Sequence, residues 1–329
     1  MDTDASGVRV VIADKQPDGR FEFLGRGRAD ASGFASAEIV NLGDAVESVI
    51  RALDAAPEEA GFRVEKLYYN FDDPSLISQH PRSSRVLKGD GEIRVPDIED
   101  ARRVAERFTD HFDRSIVYSR PVRFLIDDRD PVADPLGVFG RKLDVWTHIL
   151  QARASHCQRW QRLIERAGLR RGVRVLSAIS SAYGVLPAEA RRARHLIADA
   201  GRDLANIFVW QNGAVADQRV AQISGGAEQL AAEIRAIAER HPDLDRIVLC
   251  GDLAAEAGFA QSVSDAAGLA VDTASPAGVA GLDRPADAAL AGLLRVAEEL
   301  ENKARMIPKD TNMVDSARSK VQEFIHEYF

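Results

Sequence analysis

Cysteine is scarce. The 329 residues hold only Cys157 and Cys250, too few for a disulfide framework or a Cys-rich zinc site. Long apolar runs are missing too. Nothing approaches 18 consecutive hydrophobic residues, so no helical membrane span is expected. The opening MDTDASGVRV lacks a basic region followed by an apolar core and does not read as a signal peptide. Positive charge is in deficit: 43 Lys and Arg face 51 Asp and Glu, leaving a formal net charge of −8. That balance works against bulk attraction to nucleic acid or anionic membrane, and no nucleic-acid partner is expected. Low-complexity tracts are absent, and the surroundings of Ser224 lack the Gly-x-Ser-x-Gly of a nucleophile elbow. What remains is 45% hydrophobic and 29% charged residues, enough for a packed core and too apolar for global disorder. The length suggests about two domains. A soluble protein of a reducing compartment is expected.

The chain opens as strand, turn, strand. VRVVIAD (Val8–Asp14) is a short apolar run, QPDG (Gln16–Gly19) a turn, and RFEFLGRG a half-buried strand of period two. Val46, Val49, Ile50 and Leu53 mark an amphipathic helix within 42–56, and VEKLYYNF (Val64–Phe71) a further strand. The order β-β-α-β is that of an α/β layer. Between about 83 and 152 the texture becomes α+β. A helix is expected with Asp97 as N-cap and Asp100 three residues on, followed by two long strands joined by a Pro, Asp and Gly loop. The α/β pattern then resumes with a helix ended by Gly168, a strand VRVLSAIS, and a helical stretch broken at Pro187. His195–Gly226 reads as a three-stranded meander. Helices and strands alternate from there to an Ala-rich helix, and a short helix closes the chain at Phe329.

The remaining chemistry-bearing residues have plain readings. His156 and Cys157 are helix neighbours pointing apart, read as a surface His beside a buried Cys. Cys250 reads as a small core residue. Asp127, Asp128 and Asp130, like Asp72 and Asp73, lack the glycine-centred spacing of a calcium loop and read as solvated loop carboxylates. Arg191, Arg192 and Arg194, with Arg170 and Arg171, read as a solvated helix face. Trp146, Trp160 and Trp210 read as core, since they are not spaced as a base-stacking platform.

Two halves that each begin with a β-meander, with an insertion in the first, resemble the actin-like (ribonuclease H-like) ATPase superfold. Within it the chain is most similar to the FtsA family of bacterial division proteins. The similarity runs through PDGRFEFLGRG, DGEIRVPDIEDARRVAERF, DPLGVFGRKLDVWTHIL, AGLRRGVRVLSAISSAYGVL, SPAGVAGL and PADAALAGLL. The resemblance implies an α/β, duplicated fold with an inserted SHS2-type α+β subdomain. Residues 1–82 and 153–194 would form the first core subdomain, 83–152 the insertion, 195–305 the second core subdomain, and 306–329 a linker and C-terminal amphipathic helix.

The departures from the family are functional. Its first phosphate loop is of the type Asp-x-Gly-Thr, where glycine lets backbone N–H groups approach phosphate and Asp organises the metal. Here the strand before it looks clipped. Asp2 and Ser6 are the remnants, and Asp4 stands in a glycine's place, a carboxylate that costs a few kcal/mol opposite phosphate. The second loop keeps Asp199 and Gly201 but replaces the next glycines by Arg202 and Asp203. The adenosine loop keeps Gly251 of Cys250-Gly251-Asp252. Only about twenty residues, 227–245, lie where the family inserts a second small subdomain, room for one helix. No catalytic residue, metal or cofactor is expected, ATP with magnesium being disfavoured.

The resemblance therefore implies a pseudo-ATPase acting through protein–protein contacts. It would be a scaffold or membrane-associated adaptor in bacterial division or a related filament system, with FtsA- or FtsZ-type partners or self-association. Val321, Phe324, Ile325, Tyr328 and Phe329 fall on one helical face suited to a membrane or a partner. Arg318 and Lys320 are outnumbered by Asp315, Glu323 and Glu327, so anionic lipid adds little. The expected location is cytoplasmic, peripheral on the inner face of the membrane. Two alternatives stay open: an unconventional ATPase with residual nucleotide binding, and a platform component similar to PilM of pilus or secretion systems.

Overall fold

The structure is a computed structural model that describes residues 1–4, 7–18, 21–56, 64, 66–88, 91–224, 226–276, 278–279 and 281–306. Ser6 and the 307–329 segment, with Val321, Phe324, Ile325, Tyr328 and Phe329, lie outside the described residues.

One succession of elements occurs twice. The first half comprises β1 (Asp2–Asp4), β2 (Gly7–Lys15), β3 (Phe21–Ala29), a small β4 (Phe34–Ala35) and β5 (Glu38–Ile39) hairpin, α1 (Leu42–Asp54) and β6 (Leu67–Phe71). An interruption follows: β7 (Ile77–Gln79), β8 (Arg82–Val86), α2 (Val95–Phe108), β9 (Arg114–Ile126), β10 (Pro131–Val132) and β11 (Lys142–Arg153). The half then closes with α3 (Ala154–Arg166), β12 (Gly172–Leu176) and α4 (Ser177–Val185). The second half runs β13 (His195–Ala200), β14 (Leu204–Gln211), β15 (Ala214–Gln222), α5 (Gly226–Ala238), β16 (Arg246–Cys250), α6 (Phe259–Ala267), β17 (Asp272–Thr273) and α7 (Ala288–Met306).

The second sheet has the order β15-β14-β13-β16-β17, antiparallel in the meander and parallel from β13 onward. In the first half β3, β2 and β1 are antiparallel neighbours, and β6 and β12 a parallel pair. Met1 joins the two groups: its amine donates to Tyr68 O at 2.7 Å and its carbonyl accepts from Asn70 N at 3.0 Å. Both halves thus have the same strand order. From β15 the chain passes through α5 alone to β16, so among the described residues no second small subdomain is inserted there.

Alternation along the strands sorts the core. In β13, Leu196, Ala198 and Ala200 pack outward against α5 and α6, whereas Ile197 joins Phe208, Trp210 and Val248 in the central core shared by both halves. Helices α4 and α7 cross inside that core. Their backbones come so close that a Cβ on Gly184 would lie 2.0 Å from Ala288 O, and one on Gly292 would lie 1.6 Å from Ser180 O. This crossing explains why VRVLSAIS is not one strand: β12 stops at Leu176 and small buried residues from Ser177 onward form α4.

The interruption is a five-stranded sheet, with β10, β9, β11 and β7 in sequence and β8 also on β11, backed by α2. It takes in β7, upstream of residue 83. Helix α2 begins not with Asp97 as N-cap but at Arg94, with Pro96 in the first turn. Asp97, in the third helical position, accepts from Arg94 N at 3.0 Å. Three side chains tie this sheet to the free edge of β15. Tyr118 bonds Val215, His148 Nδ1 donates to Val215 O at 2.7 Å, and His80 Nε2 meets Ala216 O at 2.7 Å.

Two plain readings are corrected. His156 is the buried member of its pair, at 2% exposure, its Nε2 donating to Asp72 O at 2.8 Å, while Cys157 is half-buried; the inward face of α3 carries 156, 160, 163 and 164. Trp146 is half-buried on the insertion's sheet, between the Arg82 and Arg123 guanidinium groups at 4.9 and 5.0 Å from its ring centroid. Trp160, Trp210 and Cys250 are core.

Candidate functional site

The cleft between the halves opens where β1, β6, β13 and β16 end, the end of an open α/β sheet at which ligands bind. Its free volume is about 90 Å³, against roughly 300–1,000 Å³ for ordinary small-molecule pockets. Asp2, Asp199, Gly201 and Gly251 all line it.

Each glycine is explained by local backbone needs. Gly201 N donates to Leu204 O at 2.9 Å, closing the turn between β13 and β14. Gly251 has φ +93°, and a Cβ there would fall 2.5 Å from Asp199 Oδ1 and 2.6 Å from Ala200 O. Its N–H donates to Pro285 O at 3.0 Å. Both N–H groups are therefore spent on the protein's own carbonyls.

The cleft is acidic. Asp2, Asp4, Asp72, Asp199, Asp203 and Asp252 line it, against Arg9 and Arg202. Arg202 is largely exposed and pairs with Glu256 at 3.4 Å. Arg9 is inside. It stands on β2 in the middle of an apolar run, and one guanidinium nitrogen donates to Asp2 Oδ2 at 2.5 Å and Asp4 Oδ2 at 2.6 Å. The other donates to Ala286 O at 2.8 Å and lies 3.9 Å from Asp287 Oδ1. Burial by itself would lower the Arg9 pKa, but the Asp2, Asp4 and Asp252 carboxylates outweigh it and raise it. Asp2 accepts a further bond from Asn70 Nδ2 at 3.0 Å.

Two carboxyls sit deeper. Asp199 accepts from the Ser181 hydroxyl at 2.5 Å, and burial pushes its pKa up to about 6. Asp72 accepts from Asn206 Nδ2, across the cleft, at 2.8 Å. Burial, with Asp199 and Asp2 nearby, pushes its pKa up to about 7. Asp73 is not solvated either: it is fully buried and accepts from the backbone N–H groups of Ser75 and Arg153. Among the described residues, no three His, Cys, Asp or Glu side chains are placed to hold a metal ion.

Sequence reasoning missed Arg9, Asp72, Ser181 and Asn206. Only Arg9 left a signal: a lone arginine inside a strand whose neighbours are all apolar calls for a buried counter-charge.

Residues 75–151 match the family described as the SHS2 domain inserted in FtsA. Over 225 residues the chain is 25% identical to the cell division protein FtsA of Pseudomonas aeruginosa, covering 68% of this chain and 54% of that one. The chain spans about half the length of the curated relatives it matches. Among solved structures, the PilM–PilN type IV pilus biogenesis complex aligns at a TM-score of 0.68 with 15% identity, covering 90% of this chain and 97% of that one. The ethanolamine utilization protein EutJ from Carboxydothermus hydrogenoformans aligns at 0.51 with 11% identity, covering 89% and 87%.

Proposed function

We propose that this chain, an FtsA-like, SHS2-containing member of the actin-like superfamily, works as a pseudo-ATPase. It serves as a scaffold or membrane-associated adaptor in bacterial cell division or a related filament system. The observation that carries the reading is Arg9. ATP with magnesium, the pair the fold family implies, needs donors for phosphate oxygens and free carboxylates for the ion. In this cleft the Gly201 and Gly251 N–H groups are committed, and Asp2 and Asp4 are bonded to a guanidinium. The residues present do not fit that pair.

Partner contact is assigned to the insertion. Eight of the ten exposed large hydrophobic side chains among the described residues lie between 86 and 139, including Phe108 at 79% and Phe112 at 102% exposure. Such a concentration on one subdomain supports an interaction surface there. Among the described residues no helix is long and apolar enough to cross a membrane. Lipid contact in this reading belongs to Val321, Phe324, Ile325, Tyr328 and Phe329, whose helical spacing supports it.

A second reading, a PilM-like platform, is favoured by the alignment over nearly the whole of both chains. Capture assays separate the two. The adaptor reading expects retention of FtsA- or FtsZ-type division proteins by the immobilised chain. Retention only of a short cytoplasmic peptide from a membrane protein would replace it with the platform reading.

A further inference from the structure

The cleft's cation is part of the chain. A closed set of carboxylates needs a counter-charge, because unpaired buried charge is far costlier than a paired one. Of the two arginines lining the cleft, Arg202 points to solvent and Arg9 is covered, its side chain 13% exposed. The Arg9 fork reaches two separate segments. One nitrogen holds Asp2 and Asp4 on β1, and the other holds the turn of Pro285–Asp287 that starts α7. That same turn accepts the Gly251 N–H, so the guanidinium is linked through one turn to the end of β16. Arg284, on the far side of the turn, bonds Asp287 at 3.2 Å and leaves the carboxylates of β1 to Arg9.

We infer that Arg9 does inside this chain what a bound cation does in an open acidic cleft. It neutralises the converging aspartates and fastens β1 and β2 to the turn before α7, so the cleft holds shut without a ligand. The same side chain holds the Asp2 and Asp4 oxygens, so they are not available to a cation from solvent. This deepens the pseudo-ATPase reading and rests on it only for the function of the closed cleft. The charge role itself is read without nucleotide. Nucleotide binding by the unaltered chain would overturn the functional reading and leave the experiment below unaffected.

The test is thermal unfolding of Arg9→Ala and Arg9→Gln in the full chain, with and without about 10 mM Mn²⁺ or guanidinium chloride, against NaCl at equal ionic strength. Both variants are expected to melt roughly 5–10 °C below the unaltered protein, the size expected when a buried pair loses one partner. Mn²⁺ should restore at least half of that loss through the vacated carboxylates, guanidinium should do so by refilling the gap, and NaCl should do neither. The unaltered protein should show no shift with Mn²⁺. If Arg9→Ala does not fold, Arg9→Gln is read. If neither folds, refolding yield from denaturant with and without Mn²⁺ takes the place of the midpoint. Melting at the unaltered midpoint, or a lowered midpoint or yield that neither Mn²⁺ nor guanidinium moves, would overturn the inference.

Discussion

The Tyr118 hydroxyl satisfies both backbone groups of Val215: it accepts from Val215 N at 2.9 Å and donates to Val215 O at 3.2 Å. One side chain of the inserted sheet thus stands in for a neighbouring strand on the free edge of β15. Tyr118 is 1% exposed, and burial pushes its pKa up to about 12, so it remains a neutral donor. Tyr118→Phe leaves a buried N–H unpaired and should cost about 1–3 kcal/mol. Urea unfolding gives the loss, and amide exchange at Val215 should quicken more than at strands outside the interface.

The α4–α7 crossing reverses the usual sign of a glycine substitution. In an ordinary helix interior Gly→Ala is favourable by roughly 0.5–1 kcal/mol. At Gly184 the added methyl meets Ala288 O, so Gly184→Ala should destabilise by about 2–3 kcal/mol or more. Gly43→Ala, where the nearest atom lies 3.4 Å away in the exposed first turn of α1, should be neutral or slightly favourable. Denaturant midpoints of the two variants check the contrast.

The pH dependence has two overlapping contributions of opposite sign. Asp72 and Asp199 have folded pKa values of about 7 and 6, above the unfolded value of 3.8. The folded chain therefore holds more protons from pH 4 to 7, and stability falls as pH rises through that window. Asp72→Asn keeps an acceptor for Asn206 and removes this cost. It should stabilise by a few kcal/mol at pH 8, with the gain shrinking towards pH 4. His148 works the other way. Burial, with His80 stacked at 4.6 Å, lowers its pKa from 6.5 to about 3. Its contribution is complete above pH 6.5 and is lost as pH falls through that value towards 3. His148→Gln removes the opposing contribution and should steepen the fall of stability between pH 4 and 6.5, as melting curves from pH 4 to 9 would record.

Much of the architecture was legible because strands buried on one face and helices facing a core carry their periods in the sequence, as β13–β15 and α1 do. Turn chemistry was legible too: Gly168 at φ +76° ends α3 as its position implied. The residues that decide the cleft were not. Arg9 signals a buried counter-charge without naming it, and Arg9, Asp72 and Asn206 line one cleft only because strands far apart in sequence come together there, which no local pattern encodes. His156 and Asp73 read as surface residues because polar side chains usually are. Here Asp72 O and the Arg153 N–H supply the partners that permit burial.

The insertion's exposed aromatics should be dispensable for folding. Phe108→Ser with Phe112→Ser should leave stability within about 0.5 kcal/mol, as for other surface changes. Capture of FtsA- or FtsZ-type proteins should drop at least tenfold. Unchanged capture would move the partner surface elsewhere.

The central claim is a cleft closed to nucleotide, and calorimetric titration of the full chain with Mg-ATP and with ADP, followed by phosphate release, tests it most directly. The account predicts no saturable heat and no turnover up to ~1 mM nucleotide, the upper end of ordinary KM values. Saturable binding with phosphate release would contradict it and make Asp199, Gly201 and Gly251 working parts of a nucleotide site.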